Sequence, residues 1–188
     1  HFASIAYDSA HDNTGDALGS KRKTVCVPVG GMWYEVGPDV ALAADGFVGR
    51  NHHDDYMRTH EYRAFTAGAL HFMKVDRVDL LVLGLPVADY MRRRAELQKA
   101  MTGTFEVGRN RKVEVKRVLV VAQPQGAMYA VFGDQANAKL RQGRTLVIDA
   151  GSRTFDWLVT LDSKVVGKMS DSVNRGVYDI LVKIAAAV

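Results

Sequence analysis

A short polar interruption between two apolar segments is the first place in the sequence where chemistry could occur. The apolar run Leu146–Ile148 ends at Asp149, and an alternating strand pattern resumes at Phe155. Small and hydroxyl residues over 151–154 let a backbone approach an anion closely, so the turn could cradle a phosphate. Because Asp149 would repel a bare phosphate, we expect a divalent cation between them, with its waters retained as Mg²⁺ prefers.

The same residues also have a purely structural interpretation. A tight hairpin loop in which Asp149 caps its own turn requires similar residue types. Taken alone, the turn supports the phosphate site and the plain hairpin about equally.

The spacing of apolar residues predicts the elements that must position this turn. The chain should alternate helices with strands, in mixed sheets flanked by helices, which is an α/β organisation. The predicted elements are a loop over residues 1–20, a hairpin around Gly30-Gly31, a helix over 60–73, a strand over 78–86 buried on both faces, a helix over 88–101, a hairpin turning at 108–111 whose second strand continues through "VLVV", a helix over 125–140 with Met128, Tyr129 and Phe132 on one face, a meander from 145 to about 171, and a helix over 173–187.

Composition excludes some classes of protein. The 188 residues are 47% hydrophobic, which is ample for a packed core, and no stretch approaches the roughly 20 apolar residues of a membrane helix. We expect no direct membrane contact. The single cysteine, Cys26, is expected to be a small buried hydrophobe, in keeping with a reducing cytoplasm.

The charge pattern is less specific. The formal net charge is +4, and basic residues concentrate at 20–23, 91–94 and 109–117 without interleaved aromatic residues. We therefore expect solvated surface at these runs in preference to a nucleic-acid groove. The segment "NHHDD" (51–55) has metal-ligating residue types, but adjacent loop residues rarely converge on one ion, so a surface loop is the favoured interpretation.

The segment "LVIDAGSRTFD" resembles the second phosphate loop of the actin-like ATPase superfamily, which reads approximately DLGGGTFD in heat-shock chaperone ATPases. Asp149, Gly151 and the run Thr154–Asp156 match that pattern. Ser152 and Arg153 replace two glycines, and Arg153 could either add a phosphate contact or crowd the loop. The resemblance implies that Asp149 organises Mg²⁺ through water, and that residues 151–154 hold the phosphates of ATP.

Three further segments resemble the same superfamily. "VLVVAQPQGAMYA" is similar to the strand-to-helix segment that positions the attacking water, and Gln123 falls on that position. A glutamine is no strong base, so its implied role is to orient water by hydrogen bonding. As an alternative, Gln123 and Gln125 are ordinary residues of a helix start. "LLVLGLPVADY" resembles the preceding strand, and "SVNRGVYDIL" resembles a helix entry at which Gly176 allows close packing.

A set of four segments, taken together, resembles the plasmid-partition ParM/StbA group, and within it the StbA-like protein D family of PRTRC gene cassettes. They are "MWYEVGPDVA" (32–41), "HEYRAFTAGAL" (60–70), "LVLGLPV" (81–87) and the hairpin "FEVGRNRKVEVKRVLVVAQPQGAMYA". The resemblance implies an actin-like, ribonuclease-H-like fold, present as an incomplete portion of a two-domain protein. Residues 1–142 would form most of domain I, with a small outer subdomain at about 24–60, and 143–188 would begin domain II. The first phosphate loop and the adenosine loop of the superfamily have no counterpart in this sequence.

The function implied by the resemblance is that of a cytoplasmic, Mg²⁺-dependent ATPase. Its ATP state would favour self-assembly into filaments that segregate plasmid or other mobile DNA through an adaptor protein. A non-catalytic scaffold or cell-division component of the same fold is the alternative, motivated by Ser152 and Arg153. A sugar or metabolite kinase of the superfamily is disfavoured, because Asp89 follows "LGLP" without a sugar-binding pattern.

Overall fold

The computed structural model describes Phe2 and residues 4–9, 22–43 and 55–187 of the chain. The helices and strands of these residues are β1 (Tyr7–Ser9), β2 (Val25–Val29), β3 (Met32–Val36), α1 (His60–Met73), β4 (Arg77–Val78), β5 (Leu81–Leu85), α2 (Val87–Ala100), β6 (Gly103–Glu106), β7 (Lys112–Val115), β8 (Val118–Ala122), α3 (Gln123–Gly133), β9 (Arg144–Ala150), β10 (Phe155–Leu161), β11 (Lys164–Val165), β12 (Asp171–Val173) and α4 (Val177–Ala185). The predicted mixture of helices and mixed sheets is confirmed.

The chain divides into two compact units. Unit 1 comprises residues 1–81 and 101–117, and unit 2 comprises residues 82–100 and 118–188. Gly143, the predicted domain boundary, lies inside unit 2. The assignment of 1–142 and 143–188 to two actin-like domains, with an outer subdomain at about 24–60, stays a prediction.

The described residues of unit 1 form two small sheets, one α-helix and two 3₁₀ helices. The first sheet is antiparallel in the order β1-β3-β2, and in the second β7 pairs in parallel with β4 and antiparallel with β6. α1 begins after Thr59, whose hydroxyl accepts a hydrogen bond from the Tyr62 N–H (3.2 Å), and packs on β2 and β3. The predicted hairpin at Gly30-Gly31 and the predicted helix over 60–73 are confirmed.

Unit 2 holds the candidate phosphate turn. β10 pairs with β9 along its whole length and also with β11 and β12. α2 begins directly after β5 and α3 directly after β8, and these two strands pair with each other. The core between strands and helices contains the buried side chains Val87, Ala122, Met128, Phe132 and Leu158. The predicted meander is confirmed.

Two predicted strands are shorter than the apolar pattern suggested. The run over 78–86 is not one strand buried on both faces: β4 and β5 are separate, and Val82 is 53% exposed. The predicted second strand of the 108–111 hairpin likewise divides into β7 and β8. In both cases the two halves pair with different strands, so a continuous apolar run does not mean a continuous strand.

Three other boundaries also differ from the predictions. Residues 7–9 of the expected opening loop form β1, because they pair with the edge of β3. The helix predicted over 125–140 is α3 followed by a 3₁₀ helix (Gln135–Arg141), and Tyr129 is exposed while Met128 and Phe132 are buried. The last helix begins at Val177, because residues 171–173 pair with β10.

Candidate functional site

The phosphate turn is the connection between two fully paired strands. β9 and β10 pair antiparallel from Arg144 opposite Leu161 to Ala150 opposite Phe155, and residues 151–154 form the turn. A Cβ at Gly151 would lie 3.0 Å from the Thr154 carbonyl oxygen, so the turn is tight. A turn between two strands is confirmed here, but the strands do not separate at Asp149: it lies inside β9, paired with Asp156, and the turn begins at Gly151. The function of the turn stays a prediction.

Two aspartates face each other across this hairpin. Asp149 on β9 is the register partner of Asp156 on β10, so both side chains lie on one face of the sheet. Asp156 is 1% exposed, and its Oδ1 accepts a hydrogen bond from the Val87 N–H (2.7 Å) at the start of α2. The Ser172 hydroxyl accepts a second bond, from the Ala88 N–H (2.9 Å). Asp156 and Ser172 thus satisfy amides that the first turn of α2 leaves unpaired.

Asp149 is left available by this arrangement. It is half-buried, and within the described part of the chain its carboxylate has no hydrogen-bond or ion-pair partner. No group of three or more His, Cys, Asp or Glu side chains placed to hold a metal occurs among the described residues. A cation at Asp149 would therefore take most of its ligands from water and from a bound anion, which is how Mg²⁺ is commonly held.

The first residues of α4 are hydrogen-bonded to the phosphate turn. The N–H groups of Val177 and Tyr178 donate to the carbonyl oxygens of Gly151 and Ser152, both at 3.0 Å. A Cβ at Gly176 would overlap the Ser152 carbonyl, so only glycine allows this contact. Because the turn carbonyls are bonded to α4, the turn is held in a fixed position by the first residues of that helix.

Arg153 contacts the protein itself. One guanidinium nitrogen lies 3.8 Å from Asp89 on α2, and Asp89 lies 3.8 Å from Arg93 one helical turn later. All three side chains are 20 to 26% exposed, so these ion pairs are partly shielded from solvent. The two roles that the sequence left open for Arg153, an added phosphate contact or a crowded loop, both stay predictions.

The two glutamines at the start of α3 have different environments. Gln125 is 8% exposed, and its Oε1 accepts a hydrogen bond from the Ala122 N–H (2.8 Å), so it caps the helix. Gln123 is exposed, makes no hydrogen bond among the described residues, and lies against Gly84 of β5. The structural alternative therefore fits Gln125, while Gln123 is free to contact water or a ligand.

Sequence reasoning missed how the site is held together. Asp156 matched the phosphate-loop pattern, yet nothing nearby in the sequence indicated that it caps a helix 69 residues upstream. The Asp89–Arg153 pair was missed for the same reason. The one available signal was the helix predicted to begin just after Pro86. The first N–H groups of a helix have no acceptor within the helix, so they require one from elsewhere.

The remaining sequence expectations have mixed outcomes. Cys26 is fully buried, as predicted. In the "NHHDD" segment, residues 51–54 lie outside the described residues, and Asp55 lies 3.7 Å from Arg58. As far as the structure describes the chain, it contains no helix long and apolar enough to cross a bilayer.

Comparison with known proteins identifies the family. A family model described as "Actin like proteins N terminal domain" matches residues 1–126. No curated protein sequence matches the chain.

Solved structures similar to the chain have the same fold. They include a non-polymerisable quadruple mutant of pCBH ParM (TM-score 0.73, 17% identity, covering 99% of this chain and 60% of that one) and apo pSK41 ParM (0.68, 16%, 99% and 63%). A third is an AlfA filament bound to AMPPNP (0.61, 20%, 99% and 66%). The chain thus spans somewhat less than two thirds of the length of these proteins. At these identities the likeness establishes the fold alone; the ParM and StbA/PRTRC subgroup assignment stays a prediction. With the family match over residues 1–126, it shows that the chain has the actin-like fold and belongs to the family of actin-like proteins.

Proposed function

We propose that the complete protein is a Mg²⁺-dependent, actin-like ATPase that assembles into nucleotide-dependent filaments. In this proposal the filaments segregate plasmid or other mobile DNA in the cytoplasm through a DNA-bound adaptor protein. The observation that carries the proposal is the asymmetry of the aspartate pair: Asp156 is consumed by α2, while Asp149, beside the small-residue turn, has no partner among the described residues.

The turn residues suit a phosphate ligand. Backbone N–H groups of a tight turn containing glycine can bind anions, and the carbonyls of Gly151 and Ser152 point instead to α4. We assign residues 151–154 to the β- and γ-phosphates. Arg153 would add a contact only after leaving Asp89, and a 3.8 Å pair of partly exposed side chains is weak enough to exchange.

Asp149 fits an outer-shell role toward Mg²⁺. Its carboxylate is half-buried and unpartnered among the described residues, and a cation kept hydrated needs only one or two protein carboxylates. When bound, Mg²⁺ supplies charge neutralisation at the phosphates. Asp149 would hold the waters of the cation in position. The buried Asp156, through its hydrogen bond to the Val87 N–H, would hold β10 in place and so preserve this geometry.

Gln123 is assigned to the attacking water. A side-chain amide can both donate to and accept from water, so it can orient a nucleophile without removing its proton. Its exposed position at the first residue of α3 leaves both amide atoms available.

Filament formation is supported by the similarity to proteins whose structures were determined as filaments, AlfA with AMPPNP among them. The test is sedimentation of the complete protein with Mg-ATP, with Mg-ADP and without nucleotide, beside the Asp149→Ala variant. Pelleting that needs Mg-ATP and is lost in the variant supports the proposal. Equal pelleting of both proteins without nucleotide would count against it.

A non-catalytic scaffold of the same fold is the second candidate. It is favoured by one observation: the arginine that replaces a loop glycine, Arg153, is paired with Asp89. Phosphate release measured with Mg-ATP separates the two, since a scaffold would release none while still assembling.

A further inference from the structure

Unit 1 contains a cationic cavity that the proposed nucleotide site does not use. It has a volume of about 570 Å³ and is lined by Arg22, Lys23, Thr24, His71, Phe72, Lys74, Arg109 and Arg111. These residues come from the segment just before β2, the end of α1 and the β6–β7 turn. Five of these eight described residues are Lys or Arg, and none of the eight carries a carboxylate.

The cations are brought together by close backbone contacts. A Cβ at Gly108 would overlap the Cys26 carbonyl, so glycine lets the β6–β7 turn lie directly against β2. His71 Nδ1–H donates to the Val107 carbonyl (2.7 Å), which ties the end of α1 to the same turn. Three separate segments thus place their positive charges around one space.

Two of the arginines that line the cavity, Arg22 and Arg111, are held in place by contacts with the protein. Arg22 lies 3.5 Å from the buried Glu35 and donates to the Leu42 carbonyl (3.2 Å). Arg111 donates to the Val75 carbonyl (3.3 Å) and lies 3.6 Å from Asp76, which is 93% exposed.

The other three cations are uncompensated. Within the described part of the chain, the side chains of Lys23, Lys74 and Arg109 have no ion-pair partner. Lys74 is favoured at the carboxyl end of α1 by the helix dipole. Arg109 lies in the β6–β7 turn and, like Lys74 (φ 56°), occupies a left-handed conformation (φ 52°) that glycine or asparagine adopts more readily. Like charges gathered without counterions repel each other, and a bound anion would remove that repulsion.

The shape of the cavity favours a small ligand. Its volume lies in the usual range of small-molecule sites, and the half-exposed Phe72 ring offers an apolar wall. Arginine at the walls matches the geometry of phosphate oxygens, and lysines add point charges. We propose that this cavity binds a small, multiply charged phosphate compound, at a site separate from the phosphate turn of unit 2.

The test is calorimetric titration of the 188-residue chain with inorganic tripolyphosphate in EDTA. Removing divalent cations separates this cavity from the Mg²⁺-dependent site, and Asp149→Ala should bind as the wild type does. Arg109→Gln/Lys74→Gln should weaken binding about tenfold or more. Arg92→Gln/Lys99→Gln, which removes equal charge from exposed positions of α2, should change it less than about twofold.

A second measurement does not depend on variants. Tripolyphosphate should protect Lys23 and Lys74 from acetylation and leave Lys99 reactive. No binding, equal loss of binding in both double variants, or uniform acetylation would overturn the proposal. So would tighter binding of an oligoglutamate peptide or a short DNA duplex, because the site would then serve a macromolecule.

Discussion

At the residue scale, Asp149 and Asp156 share a face of one hairpin but differ in what they contact. Asp156→Ala removes a buried acceptor from the start of α2, so we expect it to lower the free energy of unfolding by about 1–3 kcal/mol. Asp149→Ala removes no hydrogen bond or ion pair with the described residues and should change stability by less than about 0.5 kcal/mol. Urea unfolding followed by circular dichroism measures both. Equal losses would contradict the separate roles given to the two aspartates.

A second prediction at this scale concerns His71 and the pH dependence of stability. Burial lowers the pKa of its imidazole, Arg111 and Arg109 lower it further, and the hydrogen bond to Val107 partly opposes them. Since the unfolded chain takes up the proton near its ordinary value of about 6.5 and the folded chain only at lower pH, stability falls as the pH drops through that window.

The comparison uses His71→Asn, which keeps a donor for the Val107 carbonyl but does not titrate. The urea midpoint of the wild type should approach that of the variant, or fall below it, between pH 7.5 and pH 5.5. A difference between the two proteins that is constant with pH would show that His71 has no lowered pKa.

At the element scale, α4 and the phosphate turn are joined through Gly176. Gly176→Ala would force a Cβ onto the Ser152 carbonyl and should destabilise the protein by about 1–3 kcal/mol. Gly126→Ala is the matched control, because a Cβ at that helical position meets nothing within 4 Å and should stabilise by about 0.5–1 kcal/mol. Hydrogen exchange should quicken at residues 177–178 in the first variant alone. Similar melting temperatures for the two variants would argue against the anchoring contact.

The β6–β7 turn depends on Gly108 in a comparable way. Gly108 (φ 78°) and Gly31 (φ 81°) have nearly the same backbone conformation, but only Gly108 lies against another strand. Gly31→Ala should cost about 1 kcal/mol for its conformation, and Gly108→Ala about 1–3 kcal/mol more for overlap with Cys26. Thermal unfolding of both variants measures the difference. A Gly108→Ala loss no larger than that of Gly31→Ala would refute the close approach.

The elements also show what the sequence could and could not predict. α1 was predicted because its pattern, at Tyr62, Phe65 and Leu70 among others, is local. The turn between β9 and β10 was likewise visible in a few adjacent residues, although β9 continues through Asp149 to Ala150. Which strand pairs with which depends on residues far apart in the sequence. For this reason only the structure shows that the 78–86 run divides into β4 and β5, and that Asp156 caps α2.

At the scale of the whole molecule, two compact units each carry one candidate anion site. Unit 2 has the turn beside Asp149, which we propose for the phosphates of a nucleotide. Unit 1 has the cationic cavity, which nothing in the sequence patterns singled out beyond two basic runs. The excess of four positive charges is thus partly explained by side chains that surround one space.

The proposed phosphate site beside Asp149 is tested by measuring the affinity of the complete protein for a fluorescent ATP analogue, with and without Mg²⁺. We expect binding to depend on Mg²⁺. The Asp149→Ala variant should bind about tenfold or more weakly, and its binding should respond less to Mg²⁺. Arg92→Gln, a variant outside both sites, should bind as the wild type does. Equal affinity of wild type and Asp149→Ala, with the same response to Mg²⁺, would show that Asp149 and the turn at 151–154 do not hold a metal-bound phosphate.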